Sequence, residues 1–267
     1  MMRYSLWDPT GNVTALVESF VPIPEQPEAA AAVMRRHPAV EQVGFLRPAE
    51  EPGVRGALRM AGGEFCGNAC LCAAALLSGD ADAAEQRLAL RVSGAAQPVE
   101  TRIRRDGPGR FAAAVDMPPA LAVEERDFAL GPLRAALPLV RMEGVCHAVV
   151  EPESPFFALL RDRARAGEAL RAFCAELGAE CMGLLFLEPD AAGCRLTPLV
   201  WVPGSGTLFW ENSCASGTAA CAMLLAARAG RSVDLRIAQP AGVLRAAGGP
   251  GGVRLCGTVS LIGRYEL

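Results

Sequence analysis

Two segments of this 267-residue chain are near copies of one another. One is Phe65-Cys66-Gly67-Asn68-Ala69-Cys70-Leu71-Cys72-Ala73-Ala74-Ala75-Leu76-Leu77. The other is Ser213-Cys214-Ala215-Ser216-Gly217-Thr218-Ala219-Ala220-Cys221-Ala222-Met223-Leu224-Leu225. Each begins at a cysteine, passes through small or polar residues, and continues as an apolar helical run ending in paired leucines. The spacing predicts helices over about Gly67 to Ser78 and Ala215 to Ala229, the second closed by Gly230 at C′. The copies lie more than half the chain apart, which calls for two similar half-domains, each presenting one thiol at a helix start. Two thiols facing each other across a cleft suit a racemase: one removes a proton and the other returns one to the opposite face.

The flanking sequence repeats with the helices. Strands are expected at Tyr4 to Leu6, Val13 to Val17, Val40 to Leu46 and Gly56 to Met60, with a helix over Pro27 to Arg36. Leu88 to Val92, Gln97 to Arg104 and Arg110 to Val115 read as three more strands before Pro118-Pro119 breaks the pattern. The second half offers strands at Leu137 to Met142 and His147 to Val150, then a helix over Arg163 to Leu177. Strands follow at Met182 to Leu187, Cys194 to Val202, Val233 to Gln239, Gly242 to Ala246 and Val253 to Ile262. The expected class is α+β with two related lobes, residues 1–118 and 119–255, each carrying one of the paired cysteines.

Composition removes several chemistries. The chain holds no lysine, and all 26 basic residues are arginine, so a pyridoxal-phosphate racemase, which holds its cofactor as a lysine Schiff base, is excluded. Net charge is −3, and the arginines are scattered, with no basic stripe for nucleic acid. Met1 to Asp8 has no signal-peptide core, and no stretch reaches the roughly 18 apolar residues that cross a bilayer. A cytoplasmic location is expected, and with it ten reduced thiols rather than a disulfide framework. Two histidines and no paired CxxC spacing argue against a metal centre. Cys70, Cys72 and Cys221 lie further inside their helices and read as core. No cofactor, metal, nucleic acid or membrane partner is expected.

A cysteine at a helix N-terminus meets free N–H groups and the positive end of the dipole, which favour its thiolate. The same N–H groups can hold an α-carboxylate and stabilise the charge that spreads into it as the α-proton leaves. Gly67, Ala69, Ala215 and Gly217 let backbone approach the ligand.

At these residues the chain resembles the diaminopimelate epimerase-like superfamily of cofactor-independent racemases, epimerases and isomerases. Glu64-Phe65-Cys66-Gly67-Asn68-Ala69 looks like its first thiol motif and Cys214-Ala215-Ser216-Gly217-Thr218-Ala219 like its second. Gly11-Asn12, Val115-Asp116-Met117-Pro118 and Cys146-His147-Ala148-Val149 resemble its substrate loop, interdomain segment and histidine motif. The resemblance implies two pseudo-symmetric lobes, each a β-sheet wrapped around a central helix, with the active site in the cleft between them. It also implies that the last strand, about 256–267, returns to the first lobe. Cys66 and Cys214 would be catalytic. Asn12, Glu64, Gly67, Asn68, His147, Glu211, Ala215 and Ser216 would contact substrate.

Val202 to Ser213 holds no arginine to grip a distal carboxylate, which argues against diaminopimelate. Trp210-Glu211-Asn212-Ser213-Cys214 and Gly62-Gly63-Glu64-Phe65-Cys66-Gly67-Asn68-Ala69 are similar to the histidine racemases of opine-metallophore biosynthesis. That likeness implies interconversion of L- and D-histidine by a two-base mechanism, and a homodimer is common in the fold. Glu64 and Glu211 then pair with the α-ammonium or imidazole, or else serve the helix dipoles. His147 is a substrate contact or a core histidine. Phe209 and Trp210 wall an imidazole or pack the core. Three alternatives stand beside this reading: an epimerase or racemase of another amino acid, diaminopimelate included; a phenazine-type isomerase; and a non-enzymatic thiol-rich binding protein.

Overall fold

The computed structural model describes residues 1–79, 85–191, 193–249 and 251–267. The first half runs β1 (Arg3–Asp8), β2 (Thr14–Val17), α1 (Gln26–Arg36), β3 (Gln42–Arg47), β4 (Val54–Met60), α2 (Gly67–Ser78), β5 (Gln86–Val92), β6 (Val99–Gly107) and β7 (Arg110–Met117). The rest runs β8 (Ala122–Leu130), β9 (Leu133–Met142), β10 (Val145–Val150), α3 (Arg163–Leu177), β11 (Met182–Asp190), β12 (Gly193–Val202), β13 (Thr207–Trp210), α4 (Ala215–Ala229), β14 (Val233–Gln239), β15 (Gly242–Gly249) and β16 (Gly252–Glu266). The fold is mixed α+β and sheet-dominated.

Strand pairing follows one plan in both halves. β2 runs parallel to β3 across α1, and β10 parallel to β11 across α3. β4 runs parallel to β5 across α2, and β12 parallel to β14 across α4. β16 joins the halves: Gly252 to Cys256 pair with β15, Val253 to Ser260 with β7, and Ser260 to Glu266 with β1. In the first half this closes a ring, β1 through β7 and back through β16.

Each inner helix lies in a sheet too narrow for bulky groups on every side. That is why α2 is mostly alanine, cysteine and leucine, with Gly67 to Ala75 all buried. The same pressure makes α4 apolar around its circumference. α1 and α3 cover the outer faces instead. β2, β3, β10 and β11 are therefore sandwiched between helices and buried along nearly continuous runs, whereas β4, β7 and β14 alternate. α2 and α4 share one continuous core, with separate clusters beneath α3 and α1.

The boundaries of α2, α3, α4 and β14 coincide with the sequence expectation. β8 and β13 were not foreseen. β8 carries Glu124, Glu125, Arg126 and Asp127 in succession, all exposed, because it is an edge strand. β13 is four half-buried residues hairpinned onto β12.

Leu71 sits fully buried on α2 inside the ring. Leu71→Ala is expected to cost about 2–5 kcal/mol, through lost transfer energy and a residual cavity. Thermal denaturation should show a fall in Tm of several degrees; an unchanged Tm would mean that the ring collapses around the deletion.

Candidate active site

The two inner helices begin against each other. A Cβ on Gly67 would meet the Ala215 Cβ at 2.8 Å and the Met117 Sδ at 3.1 Å. The Asn68 side chain crosses the same junction, its Nδ2 donating to the Ser213 carbonyl at 2.9 Å. Above them Gly62 meets Gly204, where a Cβ would come within 2.5 Å of the Gly62 carbonyl oxygen. Only minimal side chains permit these approaches, and they bring both helix starts onto one cavity.

That cavity has a volume of about 330 Å³. Its lining includes Cys66, Gly67 and Asn68 from the first helix start, Cys214, Ala215 and Ser216 from the second, and Glu64 and Glu211. Eight of the ten residues named from sequence therefore converge there. Asn12 does not line it; its Nδ2 donates to Glu41 Oε2 at 2.8 Å. Glu41 in turn takes the Asn212 backbone N–H at 3.3 Å and the Asn212 side-chain amide. Asn12 thus stands behind the cavity, tied through Glu41 to the residue after Glu211. His147 is also absent from the lining. It is wholly buried in β10, where Gly183 leaves no room for a Cβ beside its ring. Neither ring nitrogen has a hydrogen-bond partner among the described residues, and burial lowers its pKa to about 3, so it is neutral.

Phe209 and Trp210 do not wall the cavity. Trp210 stacks on Phe186 with ring centroids 5.7 Å apart and carries the Arg163 guanidinium over its face at 5.1 Å. Five lining residues lie outside the ten named from sequence: Gln42, whose Nε2 donates to Glu211 Oε1 at 2.9 Å, Phe65, Cys181, Val200 and Val202. Gln42, Val200 and Val202 have the local sequence of ordinary strand residues, and Cys181, just ahead of β11, that of a buried core cysteine.

Both cysteines are N-caps. Cys66 Sγ accepts from the Ala69 N–H at 3.4 Å, and Cys214 Sγ from the Gly217 N–H at 3.3 Å. The N–H groups of Cys70 and Thr218 bond the N-cap carbonyls. The first two N–H groups of each helix, on Gly67 and Asn68 and on Ala215 and Ser216, have no intrahelical partner. Cys214 is held more firmly than Cys66. Its N–H donates to Gln239 Oε1 at 2.6 Å, its carbonyl accepts from Thr218 Oγ1 at 2.6 Å, and Gln239 Nε2 bonds Thr218 Oγ1 at 2.8 Å.

The expected low thiol pKa is reversed. Burial pushes both thiols well above the usual value, and the N–H bonds from Ala69 and Gly217 offset only part of this. Carboxylates add to the shift. Glu211 lies beside Cys214 and accepts its hydrogen bond, and Glu211 and Glu64 both oppose a Cys66 thiolate. Burial also raises Glu211 to about 8 and Glu64 in the same direction. The lining contains no arginine or histidine. Glu64 Oε2 and Asn68 Oδ1 are buried without a partner among the described residues, the condition of groups that await a donor from elsewhere. A cavity with two thiols, two acids, free helix N–H groups and orphaned acceptors can bind a zwitterion and move a proton at its centre. Among the described residues no group of side chains is arranged to hold a metal ion.

The model of the histidine racemase CntK N-terminal domain matches residues 1–249. A histidine racemase of Fusobacterium nucleatum is 29% identical over 250 residues, covering 89% of this chain and 85% of that protein. A histidine racemase of Staphylococcus aureus is 27% identical over 221 residues, covering 82% and 78%. Among solved structures, a hydroxyproline epimerase from Agrobacterium vitis with bound trans-4-hydroxy-L-proline superposes with a TM-score of 0.71 at 17% identity. The match covers 99% of this chain and 91% of that one.

The raised carboxyl of Glu211 has a consequence for stability. Its folded pKa of about 8 lies above the ordinary value of 4.5, so the folded state holds the proton more tightly than the unfolded chain. That contribution is complete below the ordinary value and is lost as pH rises through the folded one. Unfolding free energy, measured in urea from pH 5 to 8, is expected to fall with pH, and Glu211→Gln should flatten the fall. An undiminished slope in the variant would place the titration elsewhere.

Proposed function

We propose that this chain, which belongs to the histidine racemase CntK N-terminal domain family and is an amino-acid racemase, interconverts L- and D-histidine through Cys66 and Cys214. The observation that carries the reading is the single acid-lined cavity on which the two N-cap thiols converge. Histidine as substrate is supported by the similar proteins that bear that name and by a lining with acids and no arginine. The two halves act as pseudo-symmetric lobes, divided near Pro118, with the final strand belonging to the first. D-Histidine as a metallophore precursor rests on the likeness of Gly62 to Ala69 and Trp210 to Cys214 to racemases of that pathway.

The α-carboxylate lies across the two helix starts and takes the N–H groups of Gly67, Asn68, Ala215 and Ser216. The α-ammonium enters beside Glu211 and Glu64. Its positive charge offsets the carboxylates that oppose a thiolate, so substrate binding itself makes one thiol ionisable. For one enantiomer the Cys66 thiolate removes the α-proton, the electron pair delocalises into the carboxylate, and the Cys214 thiol delivers its proton to the opposite face. The enzyme is left with a Cys66 thiol and a Cys214 thiolate, ready for the reverse reaction. The helix N–H groups are fixed before charge develops, which stabilises the planar intermediate without reorganisation. Glu211, bonded to both Gln42 and Cys214, keeps that thiol directed at the substrate.

The test is incubation of reduced enzyme with L- or D-histidine in D₂O, with no cofactor added, following α-proton loss and chirality. Cys66→Ser and Cys214→Ser are each expected to lose about 10²–10⁴-fold in racemisation while folding normally. Turnover retained in either variant would end the two-thiol mechanism. Turnover confined to another amino acid would keep the mechanism and remove histidine.

A further inference from the structure

A second cavity of about 450 Å³ adjoins the first, and the two share Gln42 and Glu64 in their linings. One wall is a single face of α1: Pro27, Ala30, Ala31 and Met34 follow the three-and-four spacing of a helical stripe. The facing wall is the turn into β13, where Ser205 and Thr207 hydrogen-bond each other at 2.8 Å. The chamber therefore lies between the two halves, outward of the thiols. α1 is remote in sequence from both cysteine motifs, and none of its residues lines the thiol cavity.

The thiol cavity presents thiols, acids and helix N–H groups to the backbone portion of an amino acid, beside apolar Phe65, Val200 and Val202. Further space adjoins it at the wall formed by Gln42 and Glu64, the residues that line both cavities, and that is the direction in which a side chain on the same Cα can extend. At that wall stands the orphaned Glu64 Oε2, on a residue 7% exposed. Beyond it the α1 stripe is small and apolar. With the α-ammonium held by Glu211 and the other Glu64 oxygen, an aliphatic side chain would leave Glu64 Oε2 without a donor, which is costly. A lysine ammonium or arginine guanidinium would bring three or five donors, while the other oxygens of the chamber are already engaged, Glu41 by Asn12 and Asn212 and the Ser205 and Thr207 hydroxyls by each other. A flat ring with an N–H at its edge satisfies the oxygen and lays its faces against alanine and methionine.

Resting on the racemase reading, we propose that this outer chamber is the compartment for the substrate's side chain. It is shaped for a planar ring bearing an N–H donor, and the α1 stripe, Ala31 and Met34 above all, sets the size of ring admitted.

The experiment compares α-proton exchange in D₂O for L-histidine, L-alanine and L-tryptophan with the unmodified chain, Ala31→Leu and Met34→Ala. Circular dichroism and Tm verify folding. Ala31 and Met34 are only half-buried, so both changes should be accommodated. Ala31→Leu is expected to lower kcat/KM for histidine relative to alanine about tenfold or more, chiefly through KM. Met34→Ala is expected to raise tryptophan relative to histidine. Unchanged ratios in the folded variants, with histidine still exchanged by the unmodified chain, would overturn the compartment and leave the racemase standing. No exchange of any of the three by the unmodified chain would overturn the racemase reading and the compartment together. If Ala31→Leu fails to fold, the Met34→Ala ratio decides.

Discussion

The molecule depends on the meeting of two helix N-termini. Positive dipole ends and unsatisfied N–H groups are poor neighbours, and bringing two sets together is unfavourable unless something negative sits between them. The protein supplies part of the answer itself. Each N-cap sulfur takes one N–H, and Asn68 bridges to the carbonyl of Ser213. Gly67 against Ala215 sets how close the ends can come. What is left over is a positively polarised gap of the kind that favours an anion. The surrounding sheets hold the two helices in that opposition, and both loops leading into the helices are pinned to strand ends, through Ser93 just after β5 for Glu64 and Gln239 at the end of β14 for Cys214.

The acids around this gap follow from the same arrangement. Glu41, Glu64 and Glu211 are all buried and all raised by burial. Burying carboxyl groups is unfavourable unless their partners are good. Glu41 is amply bonded, by Asn12 and Asn212, and its work is to join the start of β3 to the loop before α4. Glu64 and Glu211 keep unspent acceptor capacity. The ligand-free protein is thus a state with suppressed thiolates and protonatable acids, which guards two nearby thiols from the reactivity that ionised ones would show. Activation then comes with the cation that the substrate carries.

The segments where chemistry and local propensity coincide were legible in the sequence. Cysteine, small residues and an apolar run mark a capped inner helix, and α2 and α4 begin and end where that pattern says. The convergence of Cys66 and Cys214 could be read because the duplication links residues that no local signal would connect. The raised pKa of the thiols could not, since the helix-end argument omits burial, and burial depends on the sheets closing around both ends. Gln42 and Cys181 were invisible for a related reason: a residue in or beside a strand that faces a cavity has the same sequence signature as one facing core. Of the two roles the sequence left open for Trp210, the structure takes core packing, because the β13 hairpin turns it onto Phe186. β8 was concealed by its run of charges, which an edge strand tolerates and a central one does not.

The strand from Gly252 to Glu266 lies at the seam of both halves, and its last residues pair with the first strand of the chain. On the ribosome the first half cannot complete its ring when its own residues have emerged. Through most of synthesis β1 and β7 remain open edges, and α2 lies in an incomplete shell. Only when the residues that pair with Arg3 to Asp8 appear, some two hundred and fifty positions later, can the shell shut. Pairings of such sequence separation are slow to form, and open edges invite association with other chains. The two halves therefore mature together, late, rather than one after the other, and during translation the cell must shelter an unfinished sheet.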